Sequence, residues 1–418
     1  MSKPAARAAL QSGQPLQGVR VVELAAWTFV PAAGAVMAEW GADVIKIEHP
    51  EGGDPQRGLI NSGMVPGGPG GVNYFIEQPN HNKRSIGIDL KKPEGHAIVL
   101  ELCRGADVFL TNWLPGPRSR ARLDVADIRA ANPSIIYARG HGQGVRGPDA
   151  DKGGYDGSAY WARSGVVDAL TAHDRDPYGP TQTPAFGDLA GGQTIAGAIA
   201  AALFKRERTG EPSVVDISLL AVGMWMMSPN IVSQKLYQDT PAPSFGRQQA
   251  PNPIANRYLT KDNRVVHLVM LQAVRYWPEL ITAVGRGDLA TDPRFADAAS
   301  MFANRAEAVR VLDEVFATRT LNEWREALAH IDGVWAAAQR CIELYDDPQA
   351  IANGYIASVD PGGGAPNFPV VANPAQFDEQ PSTVTRAPGA GEHTDEILAE
   401  LGYDWDRVVE LKVTGAVL

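Results

Sequence analysis

Short apolar runs alternate with helix-like segments along the first third of the chain. The runs GVRVVELA, ADVIKIEH, RSIGIDL, ADVFLTN and SIIYARG are rich in Val and Ile, which predicts strands buried on both faces. Between them, PAAGAVMAEWG, PEGHAIVLELCRG and residues 123–131 have helical patterns. This alternation predicts an α/β fold with a doubly wound parallel sheet. Ligands of such sheets bind at the carboxyl ends of the strands.

The pattern changes after the helix predicted at 189–208. RYLTKDNRVVHLVM predicts a hairpin, and amphipathic helices are predicted near 303–316 and 321–330. The stretch DPGGGAPNFPVVANPAQFDEQPS predicts a long extended connector before a last helix, HTDEILAELG. We therefore expect a large domain at 1–225, a small α+β domain at 226–345, and a return segment at 346–418 that packs on the large domain.

Composition narrows the class of protein. With 44% hydrophobic and 21% charged residues, and no apolar run near the ~20 residues that span a bilayer, the chain is expected to be cytoplasmic and not to bind membranes. The first 17 residues lack the apolar core of a signal peptide. A net charge of -10 argues against nucleic acid as a partner. Cys103, Cys341 and eight scattered histidines show no metal-ligand spacing, so no metal is expected.

Three glycines match a dinucleotide-binding pattern by letter. Gly142, Gly144 and Gly147 follow the run SIIYAR, which suggests a nicotinamide-dependent oxidoreductase. A dinucleotide site requires a helix to open directly after the glycines, whereas PDADKGGYD follows here. The oxidoreductase stays a minor alternative.

The stretch TPAFGDLAGGQ places Asp188 next to glycine, just ahead of the predicted helix 189–208. Aspartate accepts hydrogen bonds from the free N–H groups of a first helical turn, so a helix N-cap is one interpretation. A nucleophile is the other. The stretch by itself leaves both open.

Several basic residues occupy loops between the predicted strands. Together they would form a focused anion site in an acidic protein, suited to a ligand with several phosphates. Trp27 and Trp113 lie in the same loops and could stack on a planar ring. The pattern indicates a nucleotide-like ligand. The basic residues are Lys83, Arg84, Arg118, Arg120, Arg122 and Arg139.

Eight segments in a fixed order resemble the family III CoA-transferases, relatives of formyl-CoA and carnitine CoA-transferases. The resemblance runs from about Leu16 to nearly the C-terminus. It implies an interlocked homodimer in which each subunit has a Rossmann-like large domain and a small domain. It also implies acyl-CoA and a small carboxylic acid as substrates, with no permanently bound cofactor. The segments are LQGVRVVELA, GADVIKIEHPEGGDPQRG, NHNKRSIGIDLKKPEG, ADVFLTNWLPG, GYD, GDLAGG, VVDISLL and DPRFADAASMFANRAE.

The resemblance assigns roles to individual residues. The nucleophilic aspartate of the family falls on Asp188. Its CoA-contacting positions fall on Trp27, Thr28, Phe29, His49, Lys83, Arg84, Asn112, Trp113, Arg120 and Arg139. We also expect Tyr155, His141, Gly191 and Gly192 to line the substrate pocket.

The chain departs from the formyl-CoA enzyme at three places. His49 replaces an arginine, Thr28 replaces a glutamine, and the glycine-rich covering loop is missing, its nearest equivalent being FGRQQAPNPIAN. These changes argue against oxalate and formate as substrates.

The implied chemistry is thioester exchange. The positive field of a helix N-terminus is expected to keep Asp188 ionised, and its glycine neighbours leave room for a thioester. Attack by the carboxylate gives a mixed anhydride and then an aspartyl-CoA thioester.

One alternative is the α-methylacyl-CoA racemase of the same family, but its second base, a histidine, is Tyr155 here, and tyrosine with a pKa near 10 exchanges protons poorly at neutral pH. A non-catalytic acyl-CoA-binding protein is the other.

Overall fold

The computed structural model describes residues 13–64, 67–68, 71–171, 178–237 and 245–418. The chain divides into two compact units. The first unit contains the residues up to Val232 together with Pro348–Leu418, and the second unit contains Ser233–Asp347.

Six parallel strands form the sheet of the first unit. They are β1 (Arg20–Leu24), β2 (Asp43–Glu48), β3 (Arg84–Gly87), β4 (Val108–Thr111), β5 (Ile136–His141) and β6 (Val214–Ser218). The strand order β3-β2-β1-β4-β5-β6 is Rossmann-like, and the direction of winding reverses between β1 and β4. The predicted parallel α/β sheet is confirmed. The edge strand β6 was not predicted, because its exposed Val214 and Asp216 break the apolar run.

The described helices begin and end as follows: α1 Phe29–Glu39, α2 Gly58–Asn61, α3 Tyr74–Asn80, α4 Pro93–Arg104, α5 Pro115–Arg120, α6 Val125–Ala131, α7 Val166–Leu170, α8 Phe186–Thr209, α9 Leu219–Met226, α10 Ser228–Leu236, α11 Ala273–Ala283, α12 Ala298–Ala303, α13 Arg305–Phe316, α14 Leu321–Ala327, α15 Pro348–Ala352, α16 Thr394–Glu400 and α17 Trp405–Val413. A π-helical turn spans Asp156–Ala162. Within the described part of the chain, no helix combines the length and the apolar character needed to cross a bilayer.

Helices cover both faces of the sheet. On one face α1 packs against α8, and the absence of side chains at Gly191 and Gly192 permits the contact: a Cβ there would lie 2.3 Å from Phe29 Cε2 and 2.6 Å from Ala32 Cβ, respectively. On the other face, α4 and α6 share a core with α16 and α17. Helix α17 was not predicted.

The expected extended connector contains regular structure. Strand β11 (Phe368–Val371) lies within it and pairs antiparallel with β10 (Ile356–Val359), which ends directly before it. The chain is also fastened to α3, because Gln78 Nε2 donates to the Val371 carbonyl at 2.8 Å. The hairpin was not predicted because this segment is rich in proline and glycine and is mostly exposed, so it lacks the apolar pattern of a strand.

The second unit has its own core. Strands β7 (Arg257–Leu259), β8 (Val265–Leu268) and β9 (Trp335–Ala337) form an antiparallel sheet. The helices of the unit pack on it around Trp277 and Trp324, which are almost completely buried. The predicted hairpin and amphipathic helices are confirmed here.

Candidate active site

Loops from β1 and β4 meet where the winding of the sheet reverses. Asn112 joins them: its Nδ2 donates to the Ala26 carbonyl at 2.6 Å, and the Ala26 N–H donates to Asn112 Oδ1 at 3.2 Å. A crevice forms at such a position because neighbouring loops turn to opposite faces of the sheet. The loops therefore frame a ligand site.

A cleft of about 310 Å³ opens at this point, and we call it the Asp188 cleft. Its lining belongs entirely to the first unit. It brings together many of the predicted site residues. The lining residues are Ala26, Trp27, Phe29, Asn112, Trp113, Leu114, Gly140, His141, Gly142, Gly153, Gly154, Tyr155, Asp188 and Leu219.

Asp188 is the third residue of α8 and does not cap it. The cap position is Ala185, whose left-handed backbone (φ 61°) starts the helix without a side-chain hydrogen bond. The amides of Phe186, Gly187 and Asp188 face the carboxylate of Asp156 instead. The N-cap interpretation of Asp188 is wrong.

Asp156 belongs to the π-helical turn and is held close to the start of α8. Trp161 Nε1–H donates to its Oδ2 at 3.2 Å. Its Oδ1 is buried and has no well-formed hydrogen bond to any residue that the structure describes. A Cβ added to Gly187 would lie only 2.4 Å from this oxygen. Glycine at 187 is required for this approach. We call Asp156 and Asp188 the acid pair.

Burial and, to a smaller extent, the negative charge of Asp156 together raise the pKa of Asp188 to about 7. Burial also raises the pKa of Asp156. The expectation that the helix N-terminus keeps Asp188 ionised is therefore wrong. The desolvation cost exceeds the helix field, and the amides face the neighbouring carboxylate. Near neutral pH, Asp188 exists in both protonation states.

Aromatic side chains form much of the cleft wall. Trp27 has a left-handed backbone (φ 69°), and its N–H donates to Asp54 Oδ1 at 3.1 Å. Its ring meets the ring of Tyr155 edge-on, with centroids 5.8 Å apart. Phe29 packs closely against Gly140 and Gly191. The two glycines therefore leave room for the Phe29 ring in the cleft that Asp188 also lines.

A second cleft of about 290 Å³ lies at the carboxyl ends of β1, β2 and β3. It shares the lining residues Ala26 and Trp113 with the Asp188 cleft, so the two clefts are adjacent. His49 is exposed there, and its Nδ1 accepts the Glu51 N–H at 3.2 Å. We call it the His49 cleft.

Lys91 lines the His49 cleft, and we did not predict it. It is exposed, and its ammonium makes no ion pair with another described residue. Its position directly after the predicted strand RSIGIDL was the available signal, because the residue after a parallel strand lies at the ligand-binding edge.

Lys83 and Arg84 do not reach either cleft. Lys83 Nζ is completely buried and donates to Glu23 at 2.8 Å, to the Pro31 carbonyl at 2.8 Å and to Asn80 at 3.0 Å. Arg84 begins β3, at the amino edge of the sheet, and pairs with Asp43 at 2.9 Å. We withdraw both as CoA contacts, because their charges are neutralised within the protein.

Three further predicted positions have structural roles. Thr28 is buried and donates to Gln56 Oε1 at 3.2 Å, away from the cleft lining. Gly191 and Gly192 face α1 and do not line the substrate pocket. These assignments are also withdrawn.

Two arginines predicted to contact CoA have different surroundings. Arg139 Nε pairs with Asp216 at 2.6 Å and is largely covered. Arg120 is exposed at the end of α5 and makes no ion pair with another described residue. Arg120 therefore remains a candidate for a phosphate contact.

The structure also shows where the glycine pattern and the predicted equivalent of the covering loop lie. Gly142, Gly144 and Gly147 precede irregular backbone that lasts until the π-helical turn, so no helix opens after them. The segment FGRQQAPNPIAN belongs to the second unit. Among the described residues, no group of three or more His, Cys, Asp or Glu side chains is arranged to hold a metal ion.

A family model of CoA-transferase family III matches residues 16–394. The chain belongs to this family. It is therefore a CoA-transferase, and the oxidoreductase alternative is set aside.

Named relatives share most of its length. It is 32% identical over 401 residues to the cinnamoyl-CoA:phenyllactate CoA-transferase of Clostridium sporogenes, covering 94% of this chain and 95% of the relative. It is 31% identical over 407 residues to the succinate–glutarate CoA-transferase of Agrobacterium fabrum, covering 93% and 96%. A CAIB/BAIF family protein from Brucella suis has a similar structure, with a TM-score of 0.79 and 28% identity over 93% of this chain and all of that one.

Proposed function

We propose that this CoA-transferase moves CoA from an acyl-CoA thioester to a carboxylic acid through covalent intermediates on Asp188. The observation that carries the proposal is the placement of this carboxylate. It lies in a cleft at the winding reversal of the sheet, on the first turn of α8, with a pKa of about 7.

The ionised form of Asp188 is the nucleophile. Its oxygen attacks the thioester carbonyl, the C–S bond breaks, and the products are a mixed anhydride and CoA thiolate. The thiolate then attacks the Asp188 carbonyl of the anhydride and expels the donor acid, which leaves an aspartyl-CoA thioester. The acceptor carboxylate reverses both steps and regenerates Asp188. Each thioester is exchanged for another.

The second half of the proposal concerns CoA. We place its nucleotide end in the His49 cleft, where Lys91 and His49 supply positive charge or a donor and Trp113 offers a stacking surface. The pantetheine arm then passes Trp113 and Ala26 into the Asp188 cleft, because these two residues line both.

The nucleophile can be trapped. Wild-type enzyme incubated with acyl-CoA and hydroxylamine or borohydride should carry a mass change on the peptide that contains GDLAGG. Asp188→Asn should lose at least about 10³-fold in transfer rate, because an amide cannot attack the thioester. Asp151→Asn, at an exposed aspartate outside the cleft lining, is the matched control. Appreciable turnover by Asp188→Asn, with no labelled peptide, would contradict the proposal.

We also propose the interlocked homodimer implied by the family. Helix α9 exposes Met224, Trp225 and Met226, with Trp225 at 77% exposure, and Val232 of α10 is exposed beside them in sequence. Apolar surface of this kind marks an interface. Sedimentation should show a dimer that persists on dilution, whereas a stable folded monomer would refute it.

A further inference from the structure

We propose that the acyl group and the acceptor acid of this enzyme are monocarboxylates with an aromatic or bulky apolar side chain, and that Tyr155 determines this specificity. The inference rests on the proposed covalent function of Asp188. It follows from the rings and the charges that surround the acid pair.

The two clefts are adjacent, and the position proposed above for CoA gives the direction of the substrate. In this position CoA enters the Asp188 cleft past Ala26 and Trp113, because these two residues line both clefts. The thioester must then lie at Asp188. The remaining lining residues surround the acyl group, and among them are Tyr155, Gly154, His141 and Leu219.

This end of the cleft favours an apolar chain. Tyr155 is 64% exposed and its ring stands at 88° to the Trp27 ring, so the edge-on contact leaves part of Tyr155 accessible to another ring or a branched chain. Leu219 is buried and Phe29 is fixed by Gly140 and Gly191. Aromatic pairs of this geometry add attraction beyond the area they bury.

The charges disfavour a second carboxylate on the substrate. Asp156 lies against Gly187, the residue before Asp188, and its negative charge raises the pKa of Asp188. His141 Nε2 lies 3.4 Å from Asp216, which Arg139 also neutralises, and these two partners lower the pKa of Asp216 to about 2. Among the described lining residues none is Lys or Arg. A dicarboxylate would add a negative charge to a cleft that already holds the Asp188 carboxylate, with Asp156 close to it.

The test compares donors and acceptors on the full-length enzyme. With 3-phenylpropanoyl-CoA or 4-methylpentanoyl-CoA as donor, kcat/KM should exceed that for succinyl-CoA and acetyl-CoA by about tenfold or more. The acceptor 3-phenylpropanoate should likewise exceed glutarate. Tyr155→Arg should move the ratio toward succinyl-CoA by about tenfold, because it adds a cation beside the acyl chain. Tyr155→Phe, which keeps the ring, should leave the ratio unchanged.

The outcomes separate the two proposals. Transfer that depends on Asp188 but prefers succinyl-CoA, or treats acetyl-CoA equally, overturns this inference and leaves the proposed function standing. If no pair supports transfer, the proposed function fails, and competition binding decides the inference. A lower Kd for 3-phenylpropanoyl-CoA than for succinyl-CoA then supports it, and equal or reversed affinities overturn it.

Discussion

Two groups of carboxylates in the first unit, one completely buried and the other partly buried, differ in what neutralises them. In the buried ion network, which we define as Glu23, Lys46, Asp54 and Lys83, every side chain is 0% exposed. Lys46 Nζ lies 3.3 Å from Glu23 and 2.9 Å from Asp54, and Lys83 Nζ lies 2.8 Å from Glu23. In the part of the chain that the structure describes, no cation is paired with Asp188, and burial raises its pKa. The paired charges of the buried ion network stabilise the fold, whereas the unpaired carboxylate of Asp188 is the one that we propose to react.

The buried ion network supports the cleft directly. Lys46 Nζ donates to the Ala25 carbonyl at 2.8 Å, and Asp54 Oδ1 accepts the N–H of Trp27, whose backbone is left-handed. A non-glycine residue in this conformation persists only where its surroundings hold it. The network therefore holds in place the Trp27 loop, which lines the same cleft as Asp188.

The largest stability effect should come from Lys46→Met. It leaves Glu23 and Asp54 without their shared cation, and removal of one partner from a buried ion group costs about 3–5 kcal/mol. The free energy of unfolding measured in urea should fall by this amount. The control is Arg310→Met on α13, which breaks exposed pairs with Glu307 and Glu314 and should change little. Equal losses in the two variants would mean that burial of the network does not matter.

A smaller effect of opposite sign is expected for Asp188→Asn. The folded-state pKa of Asp188 is about 7, above the usual 3.8, so the folded protein binds this proton more tightly than the unfolded chain does. The associated stability is fully present below about pH 4 and is lost as the pH rises through 7. At pH 8, Asp188→Asn should therefore be more stable than wild type, by on the order of 2 kcal/mol. At pH 5 the gain should be smaller, and a gain that does not depend on pH would contradict the assignment.

The smallest effect concerns the pH profile of activity. If ionised Asp188 attacks, wild-type kcat/KM should rise with a midpoint near pH 7, so that activity at pH 6 is roughly a tenth of the plateau. Asp156→Asn removes the neighbouring negative charge and should shift the rise to lower pH, which increases the ratio of activity at pH 6 to that at pH 8 severalfold. Asp151→Asn should retain the wild-type profile. An unshifted profile in Asp156→Asn would show that the acid pair is not coupled.

Local pattern was enough to predict much of the fold. The first five strands of the large sheet and helices such as α13 and α14 follow from apolar runs and periodicity. The pattern failed where an element gains its stability from neighbours: the edge strand β6, the β10–β11 hairpin and the last helix, α17. Asp156 was quoted only as the last residue of the segment GYD, and no role was predicted for it, for the same reason. Its importance comes from α8, which begins 30 positions later in the chain.

The sequence by itself determined the alternation of strands and helices and drew attention to Asp188, because both depend on residues that are neighbours in the chain. Only the tertiary structure decided which charges are available. Lys83 and Lys91 are both basic residues that flank β3. Lys83 is neutralised by an ion pair with Glu23, 60 positions away, whereas Lys91 lines the His49 cleft. The charge state of Asp188 was decided in the same way. Desolvation and Coulomb interactions depend on distance in space, and the folded chain alone sets that distance.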